Sequence, residues 1–153
     1  MNQKGKPLTI LYADDDPEDR MLMKEALETG HPGNLLHFVE NGEDLMDYLR
    51  RNGKYSALKH RRYPDLILLN LNMPKKDGRE ALEEIKADPD FRRIPVIVLT
   101  ASQAGQDIYK AYDLGASGFI IKPLTFESLA DTITTVVKYW SEIVRLPVKH
   151  VGY

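Results

Sequence analysis

The sequence predicts an α/β fold in which a parallel β-sheet is covered by helices on both faces. Short apolar segments alternate with amphipathic segments five times along the 153 residues. This alternation is typical of strand–helix units that build a parallel sheet. Two of the apolar segments, LILL (66–69) and VIVL (96–99), contain no polar residue, as expected of strands that are buried on both faces.

Capping residues delimit the first two units. The apolar run at 8–13 predicts a strand, and Asp16 followed by Pro17 predicts the start of a helix that continues to about residue 29, before the sequence GHPG. The run LLHFVE (35–40) predicts the second strand. Asn41 is the predicted N-cap of a second helix, because apolar residues recur on one of its faces at positions 45, 46 and 49.

Three further units follow a polar connection at residues 52–64. Apolar runs predict strands at 66–69, 95–100 and 118–121. The intervening segments predict helices at about 79–87 and 105–114, and a long last helix from Phe126 to about Val144. We expect residues 1–147 to form a single domain, residues 148–153 to form a C-terminal tail, and no output domain to be present.

The composition argues against several classes of function. The formal net charge is −2, so no basic field favours nucleic acid or anionic lipid. The chain has no cysteine, which excludes disulfides, thiolate metal sites and a cysteine nucleophile. No apolar run reaches the length of a membrane span, and Asp14 interrupts the apolar run near the N-terminus. We therefore expect a cytoplasmic protein with no nucleic-acid or membrane partner.

Polar side chains follow four of the five predicted strands. Asp14 and Asp15 follow the first strand, Asn70 the third, and Lys122 the fifth, while Thr100 ends the fourth. In an open α/β sheet, ligands bind beyond the carboxyl ends of the strands, so these groups are expected to converge. Adjacent carboxylates can hold Mg²⁺, and an ammonium and a hydroxyl can bind phosphoryl oxygens. The pattern favours phosphoryl chemistry, and an aspartate at position 70 would complete it as the nucleophile.

Four segments carry a resemblance to a known family: ILYADDDPEDR, DLILLNLNMPKKDG, IPVIVLTAS and LGASGFIIKP. With these segments the chain resembles the receiver domain of two-component response regulators, over about residues 8–144. The resemblance implies a flavodoxin-like, doubly wound (βα)5 domain with strand order 2-1-3-4-5. It also implies a signalling module that docks a sensor histidine kinase, and not an enzyme.

The resemblance also implies roles for individual residues. The expected Mg²⁺ ligands are Asp14, Asp15 (directly) and Asn72 (through its backbone oxygen). Thr100 is the expected switch hydroxyl, Phe119 stands where the family has its switch aromatic residue, and Lys122 is the expected phosphate-pairing lysine. Outside these roles, Asp16, Glu18 and Asp19 are interpreted as acids that favour a helix N-terminus.

A narrower resemblance concerns the loop and the C-terminal region. The long connection before the third strand and the segments NMPKKDGREALEEIK and KYWSEIVRLP are similar to stand-alone receivers of the phytochrome type, which form dimers. This implies a phytochrome-like kinase as partner and a homodimer through the C-terminal helix region. Tyr139, Trp140, Ile143 and Val144 could form that surface, since aromatic residues are enriched at interfaces, or could be buried within the monomer.

The chain departs from the family at Asn70, where the family has its phospho-accepting aspartate. The amide nitrogen is a poor nucleophile because its lone pair is delocalised, so we expect no phosphorylation at this position. Loss of one of three clustered carboxylates is expected to weaken Mg²⁺ binding and to leave Lys122 without its nearest anion. The asparagine is either natural, as in a pseudo-receiver, or introduced to hold a competent receiver unphosphorylated.

Two other functions stay open at this point. One is a phosphorylation-independent interaction or scaffold module in which Asn70 fixes one conformation. The other, which the missing carboxylate disfavours, is a Mg²⁺-dependent phosphohydrolase that uses the same edge of the sheet.

Overall fold

The computed structural model describes residues 7–30 and 33–147, and in it the predicted strands form one parallel sheet. The strands are β1 (Thr9–Ala13), β2 (Leu35–Val39), β3 (Leu66–Leu69), β4 (Val96–Thr100) and β5 (Gly118–Ile121). The helices are α1 (Pro17–Gly30), α2 (Gly42–Arg50), α3 (Gly78–Ala87), α4 (Gly105–Asp113) and α5 (Phe126–Lys138). The strand order is β2-β1-β3-β4-β5, which confirms the predicted doubly wound fold. The predicted tail at 148–153 lies outside the described residues.

Alternate residues of each central strand enter two separate hydrophobic layers. In β1, Leu11 and Ala13 face the layer beneath α2, α3 and α4, whereas Ile10 and Tyr12 face the layer beneath α1 and α5. β3 and β4 alternate in the same way, because successive side chains of a strand point to opposite faces. Both faces are therefore covered, and the carboxyl ends of the strands remain as the open edge.

The connection between α2 and β3 is more ordered than its polar composition indicates. It contains a 3-10 helix, Gly53–Leu58, and it is anchored by Arg51, which is buried. The Arg51 guanidinium donates to the carbonyl oxygens of Tyr48 and Arg62 at 2.7 and 3.0 Å, and it stacks 5.1 Å from the ring centroids of Tyr48 and Tyr63. The long loop is thus tied to the end of α2.

The C-terminal region differs from the predicted continuous helix. α5 ends at Lys138, and a wider π-helical turn, Tyr139–Ile143, follows it. The backbone N–H of Val144 donates to the Tyr139 carbonyl at 3.0 Å, and the chain is then extended. Trp140 packs against the α1–α5 layer, whereas the side chains of Tyr139 and Ile143 are 46% and 66% exposed. Of the four residues predicted to form the dimer surface, Trp140 packs within the domain, Val144 is half-buried, and Tyr139 and Ile143 face solvent.

The structure also gives the isomer of the Lys122–Pro123 peptide bond and the character of the helices. Among the described residues there is no cis peptide bond, so the Lys122–Pro123 bond, whose isomer the sequence leaves open, is trans. In that same part of the chain, no helix is both long and apolar enough to cross a membrane.

Candidate functional site

The carboxyl edge of the sheet brings together four of the predicted site residues. The Thr100 hydroxyl donates to Oδ1 of Asn70 at 3.0 Å, and Nδ2 of Asn70 lies 3.4 Å from Oδ1 of Asp14. The Lys122 ammonium donates to Oδ2 of Asp14 at 2.7 Å. Asp14, Asn70 and Thr100 are buried. The convergence expected from the strand ends is therefore present as one connected hydrogen-bond network.

Asp14 is the centre of this network and is completely buried. Its Oδ2 accepts from Lys122 and also from the hydroxyl of Tyr12 at 2.6 Å, and its Oδ1 accepts from the backbone N–H of Asp16 at 3.0 Å. A buried carboxylate needs such compensation, because desolvation of an unpaired charge is costly. Burial, together with the nearby Asp14 carboxylate, raises the pKa of Tyr12 above its usual value, so this hydroxyl acts as a donor.

The sequence analysis did not predict Tyr12 as a site residue, although the sequence contains a pattern that indicates its contact with Asp14. It stands two residues before Asp14 in a strand whose only other polar residue is Thr9, and residues two apart lie on the same face of a strand. A buried tyrosine hydroxyl requires a hydrogen-bond partner, and the carboxylate on the same face supplies one.

The position of Lys122 corrects two expectations. Lys122 does not lack an anion, and Asp19 is not simply a helix-terminal acid, because the ammonium donates to Asp14 and also to Oδ2 of Asp19 at 2.8 Å. Burial of the lysine side chain lowers its pKa, but the hydrogen bonds and charges of the two carboxylates outweigh burial and hold the pKa of Lys122 above its usual value. Lys122 is therefore a fully charged cation at neutral pH.

The Asn70 amide is engaged through both of its polar atoms. Its Oδ1 accepts from Thr100, and its Nδ2 donates to the backbone oxygen of Asn72 at 3.1 Å. Since Nδ2 also faces Asp14, the NH₂ group lies between two of the predicted metal-ligand oxygens.

A close backbone approach holds the loop that carries Asn70 and Asn72. The N–H of Gly78 donates to the Leu71 carbonyl at 2.8 Å. A Cβ atom at Gly78 would lie only 2.3 Å from the backbone oxygen of Asn70, so only glycine allows α3 to begin here. Asp77 caps α3 in a capping box with Glu80.

An ionic link joins this loop to α4. The Arg79 guanidinium lies 3.5 Å from Oδ1 of Asn72 and 3.1 Å from Oδ1 of Asp107, and Ser102 donates to the other oxygen of Asp107 at 2.6 Å. The hydrogen bonds from Ser102 and Arg79 hold the pKa of Asp107 below its usual range. The sequence pattern did not indicate this link.

The remaining predicted residues lie at the margin of the network. Asp15 is exposed, so it faces solvent, whereas the neighbouring Asp14 is buried. Phe119 is half-buried and packs against the layer beneath α2, α3 and α4, which is compatible with either a core or a switch role.

The predicted ligands do not fit a divalent cation in this arrangement. Within the described ranges, no group of three or more His, Asp or Glu side chains could hold a metal ion. Lys122 and Tyr12 occupy Oδ2 of Asp14, and the Asn70 NH₂ group donates to the Asn72 oxygen while facing Oδ1 of Asp14. Of the three predicted ligands, Asp15 alone presents an exposed carboxylate, and Mg²⁺ requires one or two carboxylates in near-octahedral geometry.

Comparison with known proteins identifies related sequences along most of the chain. A family model for the response regulator receiver domain matches residues 10–134. The response regulator Rcp1 of a Synechocystis species is 36% identical over 146 residues, which cover 95% of this chain and 97% of that protein.

Solved structures agree with these sequence matches. The structure of the phosphorylated cyanobacterial phytochrome response regulator RcpA is similar with a TM-score of 0.85 and 38% identity, over 93% of this chain and 99% of that chain. The Mn²⁺-bound form of Rcp1 is similar with a TM-score of 0.83 and 37% identity, over 93% of this chain and 100% of that chain.

Proposed function

Because this chain belongs to the response regulator receiver family, we propose that it is a single-domain response regulator that docks a sensor histidine kinase without accepting a phosphoryl group at position 70. One observation carries the proposal. The residue that directly follows β3, beside Asp14, Thr100 and Lys122, is an asparagine whose amide is hydrogen-bonded through both polar atoms. The site has the organisation of a receiver, but it lacks the nucleophile.

The chemistry of the amide supports the second part of this proposal. Covalent phosphoryl transfer to a side chain needs an oxygen with available electron density, as a carboxylate provides. Oδ1 of Asn70 accepts a hydrogen bond from the Thr100 hydroxyl, and Nδ2 donates one to the backbone oxygen of Asn72. Neither atom therefore serves as the acceptor of a phosphoryl group.

The proposed partner is a phytochrome-like histidine kinase. The similar protein RcpA is a phytochrome response regulator, and its alignment extends over nearly the whole of both chains. We also propose that the protein is cytoplasmic, where it would meet the kinase domain of such a partner.

We further propose that Mg²⁺ binds here more weakly than in a form with aspartate at position 70. Divalent metal binding is known for the similar protein Rcp1, whereas Asn70 here contributes no charge.

The proposal includes a homodimer through the C-terminal helix region. Tyr139 and Ile143 present apolar surface to solvent at the end of α5, and aromatic residues are enriched in the centres of interfaces. Trp140 packs against the α1–α5 layer, and its ring contacts that of Tyr139 with centroids 5.3 Å apart.

The second candidate function is a phosphorylation-independent interaction module. It is favoured by the observation that the buried polar atoms of the site already have hydrogen-bond partners within the described chain, so no ligand is needed to complete them. Receiver domains are generally signalling modules without enzymatic activity, and nothing in the site favours the phosphohydrolase alternative over these two.

The test is a docking measurement on a purified phytochrome-like histidine kinase. Immobilised kinase is titrated with this chain and with its Asn70→Asp variant, with and without Mg²⁺, and phosphotransfer from the radiolabelled autophosphorylated kinase is followed in parallel. We expect both forms to dock and only the variant to acquire label. Absence of docking by both forms would contradict the proposed partner. Docking by this chain without any transfer to the variant would favour the interaction module.

A further inference from the structure

The strand β2 forms one edge of the described sheet and pairs with β1. At the start of this pairing, the N–H of Leu35 donates to the Leu8 carbonyl at 2.9 Å. Backbone groups alternate in direction along a strand, so Leu36 and Phe38 direct their N–H and C=O groups away from β1. Among the described residues, no other segment forms hydrogen bonds with these outward groups. The edge is therefore open to a further strand.

A basic segment, residues 48–64, connects the end of α2 to β3. It contains no Asp or Glu, and its six Lys and Arg residues are Arg50, Arg51, Lys54, Lys59, Arg61 and Arg62. Arg50, Lys54 and Arg62 form ion pairs with nearby carboxylates. In contrast, Lys59 and Arg61 are exposed and have no carboxylate partner in the described part of the chain. The segment therefore presents positive charge that the domain itself does not neutralise.

Ring contacts place the basic segment beside β2. The exposed His37 imidazole of β2 lies 5.9 Å from the Tyr48 ring between centroids, and the Arg51 guanidinium lies 5.1 Å from the centroid of the same ring. Arg51 also donates to the backbone oxygen of Arg61 at 3.4 Å. Partial desolvation, followed by the charges of Arg61 and Arg51, lowers the pKa of His37. The positive charge thus acts on the face of β2 that carries His37.

We propose that the open edge of β2 binds an extended segment of another protein in which acidic residues alternate with apolar ones. The backbone of that segment pairs with Leu36 and Phe38 as a further strand. Because side chains of a strand alternate between faces, its acidic residues lie on the side of His37 and Arg61. Its apolar residues extend the layer beneath α1 and α5, against which Leu36 and Phe38 pack. The inference goes beyond the proposed function, because it concerns the side of the sheet and not its carboxyl edge.

Charge favours a separate acidic partner over a second copy of this chain. Pairing of β2 with the β2 of a second copy would bring two basic segments together, and like charges repel. The residues outside the described ranges (1–6, 31–32 and 148–153) include no Asp or Glu, so they offer no acidic strand. A long polyanion such as nucleic acid is disfavoured, since the exposed Glu40 and Glu43 follow β2 and the net charge of the chain is −2.

The first measurement uses fluorescein-labelled decapeptides and fluorescence anisotropy at low ionic strength. In the probe peptide, glutamate alternates with valine, and two control peptides replace either every glutamate by glutamine or every valine by proline. We expect both controls to bind at least about fivefold more weakly than the probe, because one lacks charge and the other lacks N–H groups for strand pairing. Absence of binding by the probe, equal affinity of the proline peptide, or tighter binding of a single-stranded oligonucleotide of the same charge would overturn the inference.

The second measurement compares two double variants of the chain that lose the same charge. Lys59→Gln with Arg61→Gln changes exposed residues of the basic segment, whereas Lys110→Gln with Lys138→Gln changes exposed residues of α4 and α5. We expect the first double variant to bind the probe at least about fivefold more weakly, and the second to change the affinity by less than about twofold. Equal weakening by both would show a general effect of net charge and would overturn the inference.

Amide hydrogen exchange followed by NMR locates the bound peptide. We expect the probe to slow exchange at Leu36 and Phe38 and to leave exchange in β5, the other edge of the sheet, unchanged. Two results would overturn the inference here. Binding without any change at Leu36 and Phe38 would show that the peptide adds no strand. Protection of these two amides in the free chain that rises with its concentration would show that a second copy occupies the edge.

Discussion

Replacing Asn70 by aspartate is expected to destabilise the folded protein in the absence of divalent cations. The change places a carboxylate oxygen where Nδ2 now lies, 3.4 Å from Oδ1 of the buried Asp14. Two unit charges at this distance repel each other by about 5 kcal/mol at an effective dielectric constant near 20. The variant also loses the donor to the Asn72 oxygen, which contributes about 1 kcal/mol.

Attraction to Lys122 offsets part of this cost, since the ammonium contacts Asp14 at 2.7 Å and can interact with a second carboxylate nearby. We therefore expect a net loss of about 2–3 kcal/mol in the free energy of unfolding at pH 7, a magnitude that follows from the Coulomb estimate. If the free energy of unfolding decreases by roughly 2 kcal/mol per molar urea (the m-value), the unfolding midpoint falls by about 1 M urea. Saturating Mg²⁺ is expected to restore most of this loss, because it binds the folded state preferentially.

The assay is urea unfolding followed by circular dichroism, with EDTA and with Mg²⁺. Asn72→Asp serves as the control, since it adds the same charge two residues later on an exposed side chain and is expected to change the midpoint little. An Asn70→Asp variant as stable as the parent chain in EDTA would refute the reasoning about the buried carboxylate.

Three further predictions concern the supports of the site. Tyr12→Phe is expected to lower the free energy of unfolding by about 1–2 kcal/mol, because the buried carboxylate loses a donor; the exposed Tyr109, changed to phenylalanine, should show no such loss in urea unfolding. Gly78→Ala is expected to cost about 2–3 kcal/mol, since its Cβ would lie 2.3 Å from the Asn70 oxygen; an unchanged thermal midpoint would contradict this close approach. Partial desolvation and two nearby arginines lower the pKa of His37, although the residue is exposed, so its small contribution to stability is expected to be full above pH 6.5 and to be lost as the pH drops through the lowered pKa; His37→Gln should remove this part of the acid limb, and an unaltered limb would contradict the assignment.

The overall fold could be predicted from the sequence because its signals are local. LILL at 66–69 is entirely apolar and becomes a fully buried strand of four residues. Asn41 precedes an amphipathic segment and caps α2 through a bond from the N–H of Asp44 at 2.8 Å. The end of α5 was harder to predict, since the change to a π-helical turn at Tyr139 depends on how Trp140 packs against the domain.

The convergence of the polar residues at the sheet edge could be predicted, but their pairing could not. The residues at the carboxyl ends of β1, β3, β4 and β5 come together because parallel strands share a carboxyl edge. The partner of Lys122 could not be derived in the same way. Asp19 lies more than a hundred positions away in sequence, and its contact with Lys122 depends on the orientation of α1 over the sheet. The link between Arg79 and Asp107 likewise depends on how two helices approach each other.

The central claim is that this is a receiver site disabled at one residue. It is tested most directly by the intact mass of the parent chain and of Asn70→Asp after incubation with Mg²⁺ and a small phosphodonor such as acetyl phosphate. We expect the variant to gain the mass of one phosphoryl group and the parent chain to gain none. A phosphoryl adduct mapped to Asn70 in the parent chain, or a variant that gains no mass, would contradict the claim.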